Sequence, residues 1–193
     1  MSTTEASSQR GFSLIELIVF IVVVSTAVAG VLAAFTASTR SSTDPMIQKQ
    51  ALAIAEAFLE EAQLQPLTFC DPDDPAAATA LAVTDCATQE VIGVEGGETR
   101  YGPTFFDNVS DYNGYASSAD APPGIKDINQ SAITGLDGYS ATMAVAGHAL
   151  GAVGNDASGR PQSLLITVTV TGPGNTTVVL HGYRLRYAPN SLP

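Results

Sequence analysis

Glu16 is the one ionisable side chain between Phe12 and Phe35, in a run that is otherwise almost wholly apolar. A carboxylate buried in hydrocarbon costs several kcal/mol unless it is neutralised or paired, so its position reads as functional. Two other groups of residues could do chemistry. Cys70 and Cys86 lie sixteen positions apart. In an oxidising compartment they could form a disulfide, and closing a loop of that size contributes about 3 kcal/mol in the chain-entropy model. In a reducing one they would be two unrelated buried thiols. Asp71, Asp73, Asp74 and Asp85 could gather oxygens around calcium. The EF-hand spacing is missing, however, and Pro72 and Pro75 make a solvated turn the plainer reading, so no metal and no cofactor is assigned.

Catalytic constellations are sparse. The two histidines, His148 and His181, fall in different expected elements, and a strand histidine is more often satisfied than catalytic. No G-x-S-x-G, H-E-x-x-H or phosphate-loop pattern occurs. No catalytic residue is assigned, and the chain reads as non-enzymatic. Eight Lys and Arg against nineteen Asp and Glu leave a net charge of −11, which disfavours a nucleic-acid partner.

Residues 12–35, at about 1.5 Å each, give roughly 36 Å of helix, enough to cross a bilayer core. A secretory signal is the competing reading, with Leu17–Val24 as its core and Ala27-Val28-Ala29 as its cleavage site. Glu16 interrupts that core, and the preceding segment offers only Arg10 as a positive charge. After a polar stretch, Ile47, Ala51, Ile54, Phe58, Ala62 and Gln65 recur at helical spacing, widened by Ala55 and Leu59, until Pro66 stops the run. One helix from Phe12 to about Gln65 is expected, with Asp44-Pro45 as a place for a bend. Residues 67–90 read as a loop. Short strands are expected at Glu90–Glu95 and Thr99–Phe106, and a polar-aromatic loop at Asp107–Tyr115. That loop either displays a binding surface or covers the sheet edge with Tyr112 and Tyr115. Tyr139–Ala146 alternates, as do Leu164, Ile166, Val168 and Val170. Gly172–Asn175 makes a turn, and Thr176–Tyr187 returns as the hairpin partner with Val179, Tyr183, Leu185 and Tyr187 on one face. The fold class is α+β: a long N-terminal helix, apolar then amphipathic, with its amphipathic half laid on a small antiparallel sheet.

The sequence Gly11-Phe12-Ser13-Leu14-Ile15-Glu16-Leu17-Ile18 resembles the N-terminus of the type IV prepilin and pseudopilin superfamily. The resemblance implies that prepilin peptidase cleaves between Gly11 and Phe12 and methylates the new amine of Phe12. It also implies that Glu16, the fifth mature residue, recruits the subunit into a filament. The physics agrees: the freed amine lies about 6 Å along the helix axis from Glu16. Amine and carboxylate of neighbouring subunits could each satisfy a group otherwise costly to bury, setting axial register. Major pilins often carry Pro where this chain has Ala33, which favours a minor pilin or pseudopilin. Residues 44–72 and part of Asp107–Gly114 resemble minor pilins of the mannose-sensitive haemagglutinin type, related to the PilV and type II secretion I-like proteins.

The expected organisation is a leader peptide at 1–11, a transmembrane and assembly helix at 12–35, its amphipathic continuation at 36–65, and a globular sheet domain at 66–193 carrying the Cys70–Cys86 loop. The resemblance implies a structural subunit of a type IV pilus. The alternatives are a type II secretion pseudopilin and a membrane-anchored periplasmic binding or adhesive module. Implied partners are prepilin peptidase, other pilins or pseudopilins, and the inner-membrane assembly platform. The protein would sit in the inner membrane with its globular domain periplasmic, then in a pilus or periplasmic pseudopilus.

Overall fold

The computed structural model describes residues 13–120 and 123–190. It is an α+β fold with a long N-terminal helix and a three-stranded antiparallel sheet. Helix α1 spans Leu14–Leu64 and includes Pro45. It ends where it must: the residue before a proline is driven out of helical conformation, and Gln65 precedes Pro66. The chain divides into two compact units, Met1–Pro45 and Met46–Pro193.

In the first unit the segment Leu14–Thr36 is long and apolar enough to cross a membrane. Thr26 and Thr36 turn their hydroxyls back onto the helix, donating to the Val22 and Val23 carbonyls and to those of Leu32 and Ala33. That removes two polar groups from an apolar surface.

In the second unit the sheet runs β1 (Ser140–Gly147), β2 (Ser163–Gly172), β3 (Thr176–Leu185), with β2 central. The register places Met143 opposite Val168 and Ile166 opposite Gly182. Ala51, Ile54, Ala55, Phe58 and Ala62 of α1 are buried against Ala141, Met143 and Val145 of β1 and Leu164, Ile166, Val168 and Val170 of β2. Period 3–4 meets period 2 across one apolar layer.

The expected strands at 90–95 and 99–106 need correction. No strand forms over Glu90–Glu95 or Thr99–Phe106; the latter keeps only a single parallel bridge, Thr99 with Phe105. Gly93, Gly96, Gly97 and Gly102 all take positive φ there, which breaks extended pairing. On β3, Val179, Tyr183 and Leu185 do share a face, but it is the exposed one; Val178 and Leu180 pack on the core and Gly182 is buried. Of the two readings of the Asp107–Tyr115 segment, the covering one fits: Val109–Tyr112 forms a buried 3-10 turn, and Tyr112 and Tyr115 are buried in the core. Its continuation flanks β1, with Gly114 N donating to Met143 O (3.0 Å) and Met143 N to Tyr115 O (2.9 Å). Ala141 N and Val145 N donate to Ser117 Oγ and Asn113 Oδ1.

Candidate functional site

Glu16 sits in the first turn of α1, exposed, one turn from the helix start. Its backbone N–H and that of Leu17 donate to Ser13 O at 3.0 and 3.2 Å. The partial positive charge of a helix N-terminus suits a carboxylate there. The side chains that follow, from Leu17 to Phe35, form a helix surface of exposed Val, Ile, Leu and Phe. An acid at one end of such a surface is equipped to pair with a cation, and the rest to lie in lipid or against like helices. Gly11 and Phe12 lie outside the described residues.

Residues 6–32 match the family model described as the prokaryotic N-terminal methylation motif. No curated protein and no solved structure matches the chain. The motif supports the type IV prepilin and pseudopilin superfamily, and it points to a structural pilin-like chain rather than an enzyme. It also implies processing by prepilin peptidase and assembly with other pilins. Together with the apolar segment Leu14–Thr36, the motif fits a single-pass membrane anchor.

In the second unit Cys70 and Cys86 form a disulfide, their Cα atoms 5.3 Å apart. The base of the loop is closed by antiparallel pairing of Cys70 with Gln89, with Asp71 N donating to Thr88 O and Glu90 N to Phe69 O. Three of the four aspartates Asp71, Asp73, Asp74 and Asp85 accept from backbone, Asp71 Oδ1 taking a single N–H from Asp73 at 2.8 Å. Asp74 accepts from Ala76 N and Thr88 N, which hold its carboxyl below the usual range, and Asp85 accepts from Leu81 N and Ala82 N. Asp71 and Asp73 converge with Glu98 and Asp107, one carboxylate oxygen from each lying within 4.8 Å of the others. Asp71 and Glu98 are buried, Asp107 is half-buried and Asp73 is exposed. Burial, reinforced by neighbouring carboxylates, pushes Glu98 up to about 8 and Asp107 up to about 6. Sequence spacing carried no sign of this grouping, because irregular loops bring Glu98 and Asp107 to Asp71.

The histidines are accounted for structurally. His181 Nδ1 lies 3.1 Å from Thr167 Oγ1 across the β2–β3 pair, and the His148 ring stacks at 5.5 Å on Tyr183.

Proposed function

We propose that this chain is a minor pilin-like structural subunit of a type IV pilus. Prepilin peptidase removes residues 1–11 and methylates Phe12. Residues 12–35 then hold the subunit in the inner membrane, with 36–65 as the amphipathic continuation and the 66–193 domain in the periplasm. Extraction into the filament proceeds through the N-terminal helix and the assembly platform, with Glu16 paired to the amine of a neighbouring subunit's Phe12. One coincidence carries this reading: the methylation motif over residues 6–32 overlaps an apolar helix segment, Leu14–Thr36, that is long enough to cross a membrane and carries Glu16 in its first turn.

Ala33, in place of the proline frequent in major pilins, favours a minor subunit and leaves a secretion pseudopilin as the second reading. The narrower likeness to the mannose-sensitive haemagglutinin type supports the first. Intact-mass and N-terminal fragmentation analysis of membrane-purified protein tests the proposal. N-methyl-Phe12 at the mature terminus is expected. An uncut leader would leave a plain anchor, and a start near Gly30 an ordinary secreted protein. Immunogold labelling of sheared surface filaments then separates a pilus subunit from a periplasmic pseudopilin.

A further inference from the structure

We propose that Asp71, Asp73, Glu98 and Asp107 form a calcium site that fastens the disulfide loop to the two loops preceding the sheet. One oxygen of each residue lies within 4.8 Å of the other three. Two oxygens on opposite sides of one calcium, bound at about 2.3–2.6 Å, are roughly 4.6–5.2 Å apart, so the four atoms fit within a single coordination sphere.

The second observation is Glu98 itself. Its side chain is 6 % exposed, its carboxylate reaches into the group, and Oε2 has no hydrogen-bond partner. Native interiors rarely strand a carboxylate oxygen, because the lost hydration is not replaced. A bound cation replaces it. Nearby basic groups are engaged elsewhere: Arg186 pairs with Asp156, and Arg160 donates to the Glu90 carbonyl and Gln89 Oε1. Neither ion pair among the described residues involves the four acids. Asp111, the adjacent acid, is occupied by the Asp107 and Asn108 N–H groups.

The donor set selects the metal. All four ligands are hard oxygens, and the disulfide consumes both cysteines, so softer transition metals gain little. Ligands drawn from three irregular loops, with Asp73 open to water, suit the adaptable 6–8-oxygen sphere of calcium over the tight octahedron of magnesium. The four acids come from distant segments, so no local calcium-loop spacing marks them in the sequence.

The test uses the full chain in detergent, stripped with EDTA and titrated with calcium chloride at fixed ionic strength. Calorimetry and thermal melting are the readouts. Saturable one-site binding is expected, with Kd on the order of 10⁻⁴–10⁻³ M, the range of extracellular modules, accompanied by a rise in Tm. Glu98→Gln, which keeps the size of the side chain, should leave the metal-free Tm at or above that of wild type and abolish the calcium-dependent rise. Asp73→Asn, at an exposed position, should weaken Kd at least about ten-fold without lowering the metal-free Tm. Asp137→Asn, a surface acid outside the group, should bind as wild type does. Three outcomes would each overturn the site: no calcium response in the wild type, an undiminished response in Glu98→Gln and Asp73→Asn, or an equal response to magnesium at the same concentration.

Discussion

Arg100 grips Glu61 with two prongs, Nε to Oε1 at 2.7 Å and Nη2 to Oε2 at 2.6 Å. Glu61 also accepts from the Tyr112 hydroxyl at 3.1 Å, while Arg100 donates to the Lys126 carbonyl at 3.0 Å and lies 4.8 Å over the Phe58 ring. One ion pair thus ties helix α1 to three separate loop segments. The Arg100 side chain is 6 % exposed and that of Glu61 26 %. Glu61→Ala leaves a guanidinium buried without its counter-charge. Allowing for partial solvent screening, the expected loss is about 2–4 kcal/mol, read from urea unfolding. The double variant Glu61→Leu with Arg100→Met should lose far less than the two single changes combined, and strict additivity would remove that coupling.

Stability should fall as pH rises from mildly acid to alkaline. Burial pushes the Glu90 carboxyl up to about 9, although Ser110 Oγ donates to it at 2.6 Å. A carboxyl in the unfolded chain titrates near its usual value of about 4.3. Between those limits the folded state binds more protons than the unfolded one, so stability declines with pH. Asp111, raised to about 7, and Glu98, raised to about 8, add to the same slope. Glu90→Gln should flatten part of the decline in metal-free urea midpoints at pH 5, 7 and 9. Parallel wild-type and variant curves would count against a buried neutral Glu90.

At Gly182 β3 lies close under helix α1. A Cβ there would lie 2.5 Å from Gln63 Nε2 and 2.7 Å from Leu59 Cδ1. Gly182→Ala should therefore cost about 1–3 kcal/mol through overpacking. Gly154 serves as the control: a methyl added there would meet nothing within 4 Å, and its φ is not positive, so Gly154→Ala should be close to neutral. Differential scanning fluorimetry of the two variants side by side decides the point.

Reduction of the Cys70–Cys86 bridge, or Cys86→Ser, should lower stability by about 3 kcal/mol in the loop-entropy model. The loop's buried apolar cluster is small, Cys70, Ala77 and Ala80, so packing adds little to what the bridge and the backbone hydrogen bonds hold. Chemical denaturation with and without reductant measures the difference, and coincident curves would mean that the bridge constrains little.

Glu16→Ala should leave membrane insertion intact, since it removes the only charge between Phe12 and Phe35. Incorporation into sheared filaments should drop several-fold on immunoblot relative to wild type. Equal incorporation would refute the pairing role of Glu16 while leaving the fold untouched.

Helix α1 and strands β1 and β2 were readable because their burial is periodic. Ala51, Ile54, Phe58 and Ala62 repeat every three or four residues, and Leu164 to Val170 every two, so each buried face announces itself. Strand β3 was readable as a strand but not in orientation. Both of its faces carry apolar residues, Val178 and Leu180 on one and Val179, Tyr183 and Leu185 on the other, so the pattern alone does not say which is buried. Gly182 was the available cue, because a glycine inside a strand marks close approach. The stretch from Glu90 to Phe106 misled through local β propensity, which cannot register that positive-φ glycines leave no run long enough to pair. At the acidic group, Asp71 and Asp73 stood out through their crowding. Glu98 and Asp107 did not, since nothing local connects a glycine turn to a disulfide loop.

The two flanks of the sheet differ in a way that matters for handling the protein. The outer side of β1 is already occupied by the 113–117 segment, whereas among the described residues β3 pairs with β2 alone. Backbone templating of a foreign strand is therefore one-sided. Copies that stick together by sheet extension will do so along Thr176–Leu185, and a lysine or proline placed on its outward positions is the economical way to keep preparations monodisperse.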